Sequence, residues 1–240
     1  MEKHTVSASL TDNTKYMNRA LPVKKSFDII ERNLIIGGQN SAFYFIDGFT
    51  KDETMLKLMD SFLNISADDM PEDATSFSTS CIPYVEVDIL GDFDSIFKNL
   101  LSGVTCLFID GYEAAIAIDC RTYPSRSIEE PDKDKSLRGS RDGFVETIVF
   151  NTALMRRRIR DPHLIMEMYE AGTSTRTDVA LCYMSDRVDR ELLTTIQNKL
   201  EESKSQDLKM SQQSLAESLF QRKWYNPFPK YKFTEHSYFC

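Results

Sequence analysis

Val104-Thr105-Cys106-Leu107-Phe108-Ile109-Asp110-Gly111-Tyr112-Glu113-Ala114-Ala115-Ile116-Ala117-Ile118-Asp119 is the stretch whose reading decides the fold. Two short apolar runs flank Asp110-Gly111, a pair suited to the tight turn of a β-hairpin. The pattern predicts a hairpin over 104–119 with a type I′ turn. Just before it, Asp92 is placed to cap a short helix over 92–101, and residues 84–90 alternate as a strand. Just after it, a charged loop, 121–142, leads to a helix over 144–159. Phe144, Ile148, Met155 and Ile159 share one face of that helix, beside Val145, Val149 and Thr152.

The same arrangement recurs on both sides. Upstream, 27–37 and 42–47 read as strands joined by Gly38-Gln39-Asn40-Ser41. They are followed by a helix over 51–63 with Met55, Leu56, Leu58, Met59, Phe62 and Leu63 at helical spacing. Residues 64–82 read as a loop, and a short helix over 13–21 ends at Pro22. Downstream, 164–170 and 178–184 form a hairpin around Gly172, and 186–200 an amphipathic helix. A last helix is expected over 214–223, before the aromatic stretch Trp224-Tyr225-Asn226-Pro227-Phe228-Pro229. Hairpin-then-helix thus appears at 27–63, 104–159 and 163–203. Phe45-Ile46-Asp47-Gly48-Phe49 is echoed by Phe108-Ile109-Asp110-Gly111-Tyr112. The pattern implies an α/β fold of two smaller α/β subdomains, built from hairpin-plus-helix units with mixed sheets. The implied division is a polar segment 1–24, subdomains 25–103 and 104–205, and a C-terminal helix and linker 206–240.

Composition narrows the function. The chain has 240 residues, 41% hydrophobic and 28% charged, with a formal net charge of -8. That balance is ordinary for a soluble globular protein and disfavours general binding to nucleic acid or an anionic membrane surface. No apolar run approaches the roughly 20 residues needed to span a bilayer. Met1-Glu2-Lys3-His4 is not followed by the apolar core of a signal peptide. The five cysteines (Cys81, Cys106, Cys120, Cys182, Cys240) lack a C-x-x-C pair and read as reduced thiols. The three histidines (His4, His163, His236) have no second ligand at metal spacing, so no metal site is expected. No cofactor is expected either, since Gly37-Gly38 lacks the rest of a nucleotide loop.

Two segments carry unusual chemistry. Arg138, Gly139, Ser140, Arg141, Asp142 and Gly143 immediately precede the 144–159 helix, whose N-terminal amides and dipole favour an anion. Two arginines there can grip a carboxylate or phosphate. Equally, they can pair with Glu129, Glu130, Asp132 and Asp134 while Asp142 caps the helix. The second segment is Arg156-Arg157-Arg158-Ile159-Arg160, where cations complement a helix C-terminus. Four arginines exceed that need, which leaves two readings: a solvated basic end, or at least one arginine in contact with a partner surface. No nucleophile lies beside a base, so no catalysis is expected.

The run from Glu130-Pro131-Asp132 through Ser136-Leu137-Arg138-Gly139-Ser140-Arg141-Asp142-Gly143-Phe144-Val145-Glu146 to Asn151, Leu154, Arg156, Arg158-Ile159 and Asp161-Pro162 resembles the hallmark of GerA-type spore germinant receptor A subunits. Ser140 stands where that family usually has proline, and Asp142 where it usually has glutamate. The resemblance covers roughly 10–235, the N-terminal soluble region ahead of a membrane domain. Tyr231-Lys232-Phe233-Thr234-Glu235 fits the family's junction with that domain, whereas His236-Ser237-Tyr238-Phe239-Cys240 departs from it.

The resemblance implies a non-enzymatic domain on the cytoplasmic side of the spore inner membrane. It would couple nutrient sensing to ion release through receptor B and C subunits and other A subunits. It marks Arg138, Gly139, Ser140, Arg141, Asp142, Gly143, Glu146, Asn151, Arg156 and Arg158 as candidate ligand- or subunit-contacting residues. The alternative is a small-ligand domain holding a germinant or anion in a cleft between subdomains.

Overall fold

The computed structural model describes residues 4–50, 52–82, 86–122, 144–145 and 147–204. In chain order the elements are α1 (Leu10–Ala20), β1 (Ile29–Ile36), β2 (Gln39–Ile46), α2 (Asp52–Leu63), a 3-10 turn (Ala67–Asp69), α3 (Ala74–Cys81), β3 (Glu86–Leu90), α4 (Phe93–Leu101), β4 (Thr105–Ile109) and β5 (Ala115–Asp119). Then come α5 (Ile148–Arg158), β6 (Leu164–Ala171), β7 (Thr177–Met184) and α6 (Arg190–Ser203). The chain divides into two compact units. The first takes Met1–Pro124 and Ala153–Ile165, the second Ser125–Thr152 and Met166–Cys240.

The first unit is a five-stranded sheet ordered β1-β2-β4-β5-β3. All four of its ladders are antiparallel, rather than mixed in direction. Both faces are covered, which explains why β4 is buried along its whole length. Ala42, Tyr44, Ile46, Cys106 and Phe108 pack on one face with Met17 and Leu21 of the α1 region and Phe93, Ile96 and Leu100 of α4. Phe43, Leu107, Ile109, Ile116 and Ile118 pack on the other with Leu58, Met59 and Phe62 of α2 and Ala74 and Phe77 of α3. Side chains alternate across a strand, so a strand between two helical layers needs apolar residues at every position. The continuous apolar runs of 104–119 are the sequence trace of that sandwich.

The α/β class is as expected, and several local features are corrected. The boundary expected between 103 and 104 falls inside this sheet, because β4 pairs with β2. Gly37 and Gly38, at φ 53° and 78°, make the two-residue turn between β1 and β2. The four-residue connection expected at 38–41 is therefore absent; Asn40 and Ser41 already pair with Ile35 and Leu34. Two successive left-handed residues are what a type I′ turn demands, and glycine takes them without strain.

The 104–119 hairpin forms, but with a longer connection than a type I′ turn. Gly111 has φ 91°, whereas Arg176 is the one non-glycine at positive φ among the described residues, so Asp110 is not left-handed. Ile46–Phe49 closes in the same way. Gly48 has φ 79°, and the Phe49 and Tyr112 amides donate to the carbonyls of Ile46 and Ile109. The echoed pentads are thus two copies of one strand-ending turn.

The 64–82 stretch is not all loop. Asp73 accepts a hydrogen bond from the Ser76 amide and starts α3. Asp92 likewise accepts from the Ser95 amide at 2.9 Å and starts α4. Asp92→Ala is expected to lower stability by about 1 kcal/mol, the usual cost of losing an N-cap, as read from a urea midpoint.

In the second unit, β6 and β7 form a two-stranded sheet. Asp189 caps α6 by accepting from the Glu191 and Leu192 amides. Gly172 N donates to the Ser203 carbonyl at 3.0 Å, tying the end of α6 to the end of β6.

Candidate functional site

Arg138, Gly139, Ser140, Arg141, Asp142, Gly143 and Glu146 lie outside the described residues. Asn151, Arg156 and Arg158 can be placed, all on α5. The helix begins at Ile148, so Phe144 and Val145 precede it. The buried positions of α5 are Asn151, Thr152, Ala153 and Arg156. The expected apolar face is thereby corrected: Phe144, Ile148 and Met155 are only half-buried, and Ile159, past the helix end, is 39% exposed. Phe150, also apolar, is 43% exposed. Burial follows the polar residues here, which a hydrophobic pattern cannot register.

Asn151 acts locally. Its side-chain oxygen accepts from Val145 N at 2.7 Å, and its side-chain nitrogen donates to Val145 O at 2.6 Å. One amide therefore satisfies both backbone groups of a buried residue, as a paired strand would.

Arg156 is 0% exposed and Asp28 1%. The guanidinium donates from Nε to Asp28 Oδ2 at 2.7 Å and from Nη2 to Asp28 Oδ1 at 3.2 Å, a bidentate pair. It also donates to the carbonyls of Asp161, at 3.0 Å, and Leu164, at 2.9 Å. The Ser26 hydroxyl donates to Asp28 Oδ1 and completes the buried cluster. Asp47, half-buried nearby, has its carboxyl pushed upward, mainly by burial and secondarily by the Asp28 charge. The expectation that Arg156 contacts a ligand or subunit is corrected: its donors are directed into the chain. Arg157, Arg158 and Arg160 are exposed. The four arginines therefore divide into one internal and three surface residues.

Three further polar arrangements stand out. In the second unit, Glu167 accepts hydrogen bonds from Tyr169, Tyr183 and Gln197, each at 2.7 Å. Burial and the bond to Glu167 push the Tyr169 hydroxyl upward. The cluster joins β6, β7 and α6 through one carboxylate, and nothing in the spacing of these four residues announces it in sequence.

In the first unit, an open groove of about 430 Å³ is lined by Gly37, Gly38, Met70, Pro71, Asp110 and Tyr112. Tyr112 donates to the Pro71 carbonyl, and burial pushes its hydroxyl up to about 12. Asp110 accepts from Leu10 N at 2.9 Å, so its carboxylate already serves the N-terminal segment.

Arg121 grips Asp119 bidentately at the end of β5, and its side-chain hydrogen bonds, ahead of the backbone one, hold the Asp119 carboxyl below the usual range. A depressed carboxyl stabilises the fold above its unfolded pKa, and that contribution disappears as pH falls through the folded one. Asp119 is expected to titrate below free aspartate by NMR and to return toward it in Arg121→Ala.

Burial, with Cys120 as a lesser cause, pushes the Cys106 thiol up to about 12. Cys106 is therefore expected to resist thiol reagents in the native protein at pH 8 and to react in denaturant.

Among the described residues, no cluster of three metal-ligating side chains occurs, and no helix is long and apolar enough to cross a membrane. Comparison with known proteins gives the context. Stage V sporulation protein AF of Bacillus subtilis is 32% identical over 235 residues, covering 98% of this chain and 48% of that protein. Spore germination protein KA of the same organism is 29% identical over 200 residues, covering 82% of this chain and 36% of that protein. The chain thus spans about half or less of the length of these relatives. Its fold is similar to the N-terminal domain of the A subunit of the Bacillus megaterium spore germinant receptor GerK3, with a TM-score of 0.64 at 20% identity. That likeness covers 86% of this chain and 75% of the other. Residues 15–237 match the Bacillus/Clostridium GerA spore germination protein family, and the chain belongs to it.

Proposed function

We propose that this chain is the N-terminal domain of a spore germinant receptor A subunit, coupling nutrient sensing to ion release through contacts with other receptor subunits. The observation that carries this reading is the coincidence of a family match over 15–237 with a fold like that of the GerK3 A-subunit domain. In this reading the domain lies on the cytoplasmic face of the spore inner membrane and performs no chemistry of its own. Arg138, Arg141 and Arg158 are its candidate contact residues. Arg156 and Asn151 support the helix that carries Arg158.

One observation favours a second reading. The relative matched over 98% of this chain carries the name of a stage V sporulation protein. A family member of that kind would serve spore formation as a general factor rather than the response to a particular nutrient.

Deleting the gene separates the two. Spores lacking a receptor subunit lose their response to some nutrients and keep it for others. Spores lacking a general factor are altered toward every nutrient or form poorly. Wild-type behaviour in both assays contradicts both readings.

A further inference from the structure

The Asp28–Arg156 pair joins residues 128 apart in the chain, and its place in the fold is specific. Residues 153–165 are the second of the two stretches that make up the first unit; the chain enters that unit at Ala153 and leaves it after Ile165. Within this stretch Ala153, Arg156, Leu164 and Ile165 are buried, while Arg157, Arg158, Ile159, Arg160 and His163 are exposed. Only Ala153 of the stretch joins the main apolar cluster of the sheet face. Arg156 has two roles there. Toward its own stretch it holds the Asp161 and Leu164 carbonyls, fixing the bend between α5 and β6. Toward the body of the unit it holds Asp28, just before β1.

We propose that residues 153–165 form a strap, latched to the five-stranded sheet by the Asp28–Arg156 pair and able to detach while the sheet stays folded. The proposal stands independently of the receptor reading. Its physical basis is a contrast in what holds each part. The sheet has four ladders and apolar clusters on both faces. The strap buries three apolar side chains, Ala153, Leu164 and Ile165, beside the desolvated Asp28–Arg156 pair, and most of its other residues are exposed or half-buried. Such a pair contributes little net stability when intact, because desolvation offsets attraction, but losing one partner leaves a buried charge alone. Segments with few buried apolar contacts open below the global unfolding free energy. Tension applied to the chain at Thr152 or Met166 would meet this latch first.

Native-state hydrogen exchange on the 240-residue chain tests the proposal. In the wild type, amides of Ile159 and Leu164, which donate to the Met155 and Asp161 carbonyls, are expected to exchange through an opening insensitive to low denaturant. Amides of β2 and β4 are expected to exchange only through global unfolding. In Arg156→Lys and Asp28→Asn, exchange of the strap amides should rise by roughly a hundredfold to a few thousandfold, the size of effect expected when a buried pair is broken. Exchange in β2 and β4 should rise far less. Strap amides that follow the sheet amides at every denaturant concentration in the wild type would overturn the proposal, even if neither variant folds. An equal rise in strap and sheet in either variant, or no rise in the strap, would overturn it as well.

Discussion

Phe108→Asp and Ile109→Asp, substitutions at adjacent positions of β4, are each expected to abolish folding. Phe108 and Ile109 are both 1% exposed, but they belong to different apolar clusters on opposite faces of the sheet. Either substitution places a carboxylate where no partner is available. The cost is several kcal/mol, on the order of the whole stability of a domain. A sheet with one wet face would tolerate one of the two. Soluble, monodisperse protein from either variant, with native circular dichroism, contradicts the three-layer arrangement of the first unit.

Phe49→Ala is expected to lower stability by about 3–5 kcal/mol, the range for removing a buried phenylalanine. Phe49 is fully buried in the cluster shared by α1, α4 and the sheet, and its carbonyl accepts from Thr122 N at 2.7 Å. Its ring also closes over Gly103: a Cβ on that glycine would meet the ring at 2.7 Å, and Gly103 has φ 99°. How far within that range the loss falls depends on how much the cluster relaxes into the space the ring leaves. A urea midpoint shift with an unchanged m-value checks this. A loss below about 1 kcal/mol would mean that the ring is less tightly enclosed than its burial indicates.

The two predictions rest on features that differ in how visible they were. Apolar runs at 104–109 and 114–118 were legible as strands, and the sandwich explains why they lack the usual alternation. The repeated Asp-Gly pentads were legible as a repeat, and their equivalent turns give that repeat a conformational cause. By contrast, α3 was hidden because Ala74-Thr75-Ser76-Phe77-Ser78-Thr79-Ser80-Cys81 offers little apolar period. It is held by the Asp73 cap and by Ala74 and Phe77, the two buried side chains.

The candidate site was harder still. Arg156 was visible as one cation in a basic run, and local spacing could not reveal a carboxylate 128 residues away. Asn151 was marked through the family resemblance as a contact candidate, whereas its amide serves the buried backbone of Val145. Periodicity weighs apolar against polar residues, and α5 buries a face on which polar groups are satisfied internally. The expected face of Phe144, Ile148, Met155 and Ile159 failed for that reason. The glutamate at position 167 is legible only after β6, β7 and α6 are assembled around it.

The receptor reading makes its central claim about coupling. The most direct test is nutrient-triggered ion release from spores. A strain deleted for the gene would be resupplied either with the complete gene or with a version lacking the codons for residues 15–204. Immunoblotting of the spore membrane fraction would confirm that both proteins are present. The complete gene is expected to restore release to the nutrients whose response the deletion removed, and the shortened one is expected to leave it absent. Full restoration by the shortened gene would show that this domain is dispensable for coupling and would contradict the account.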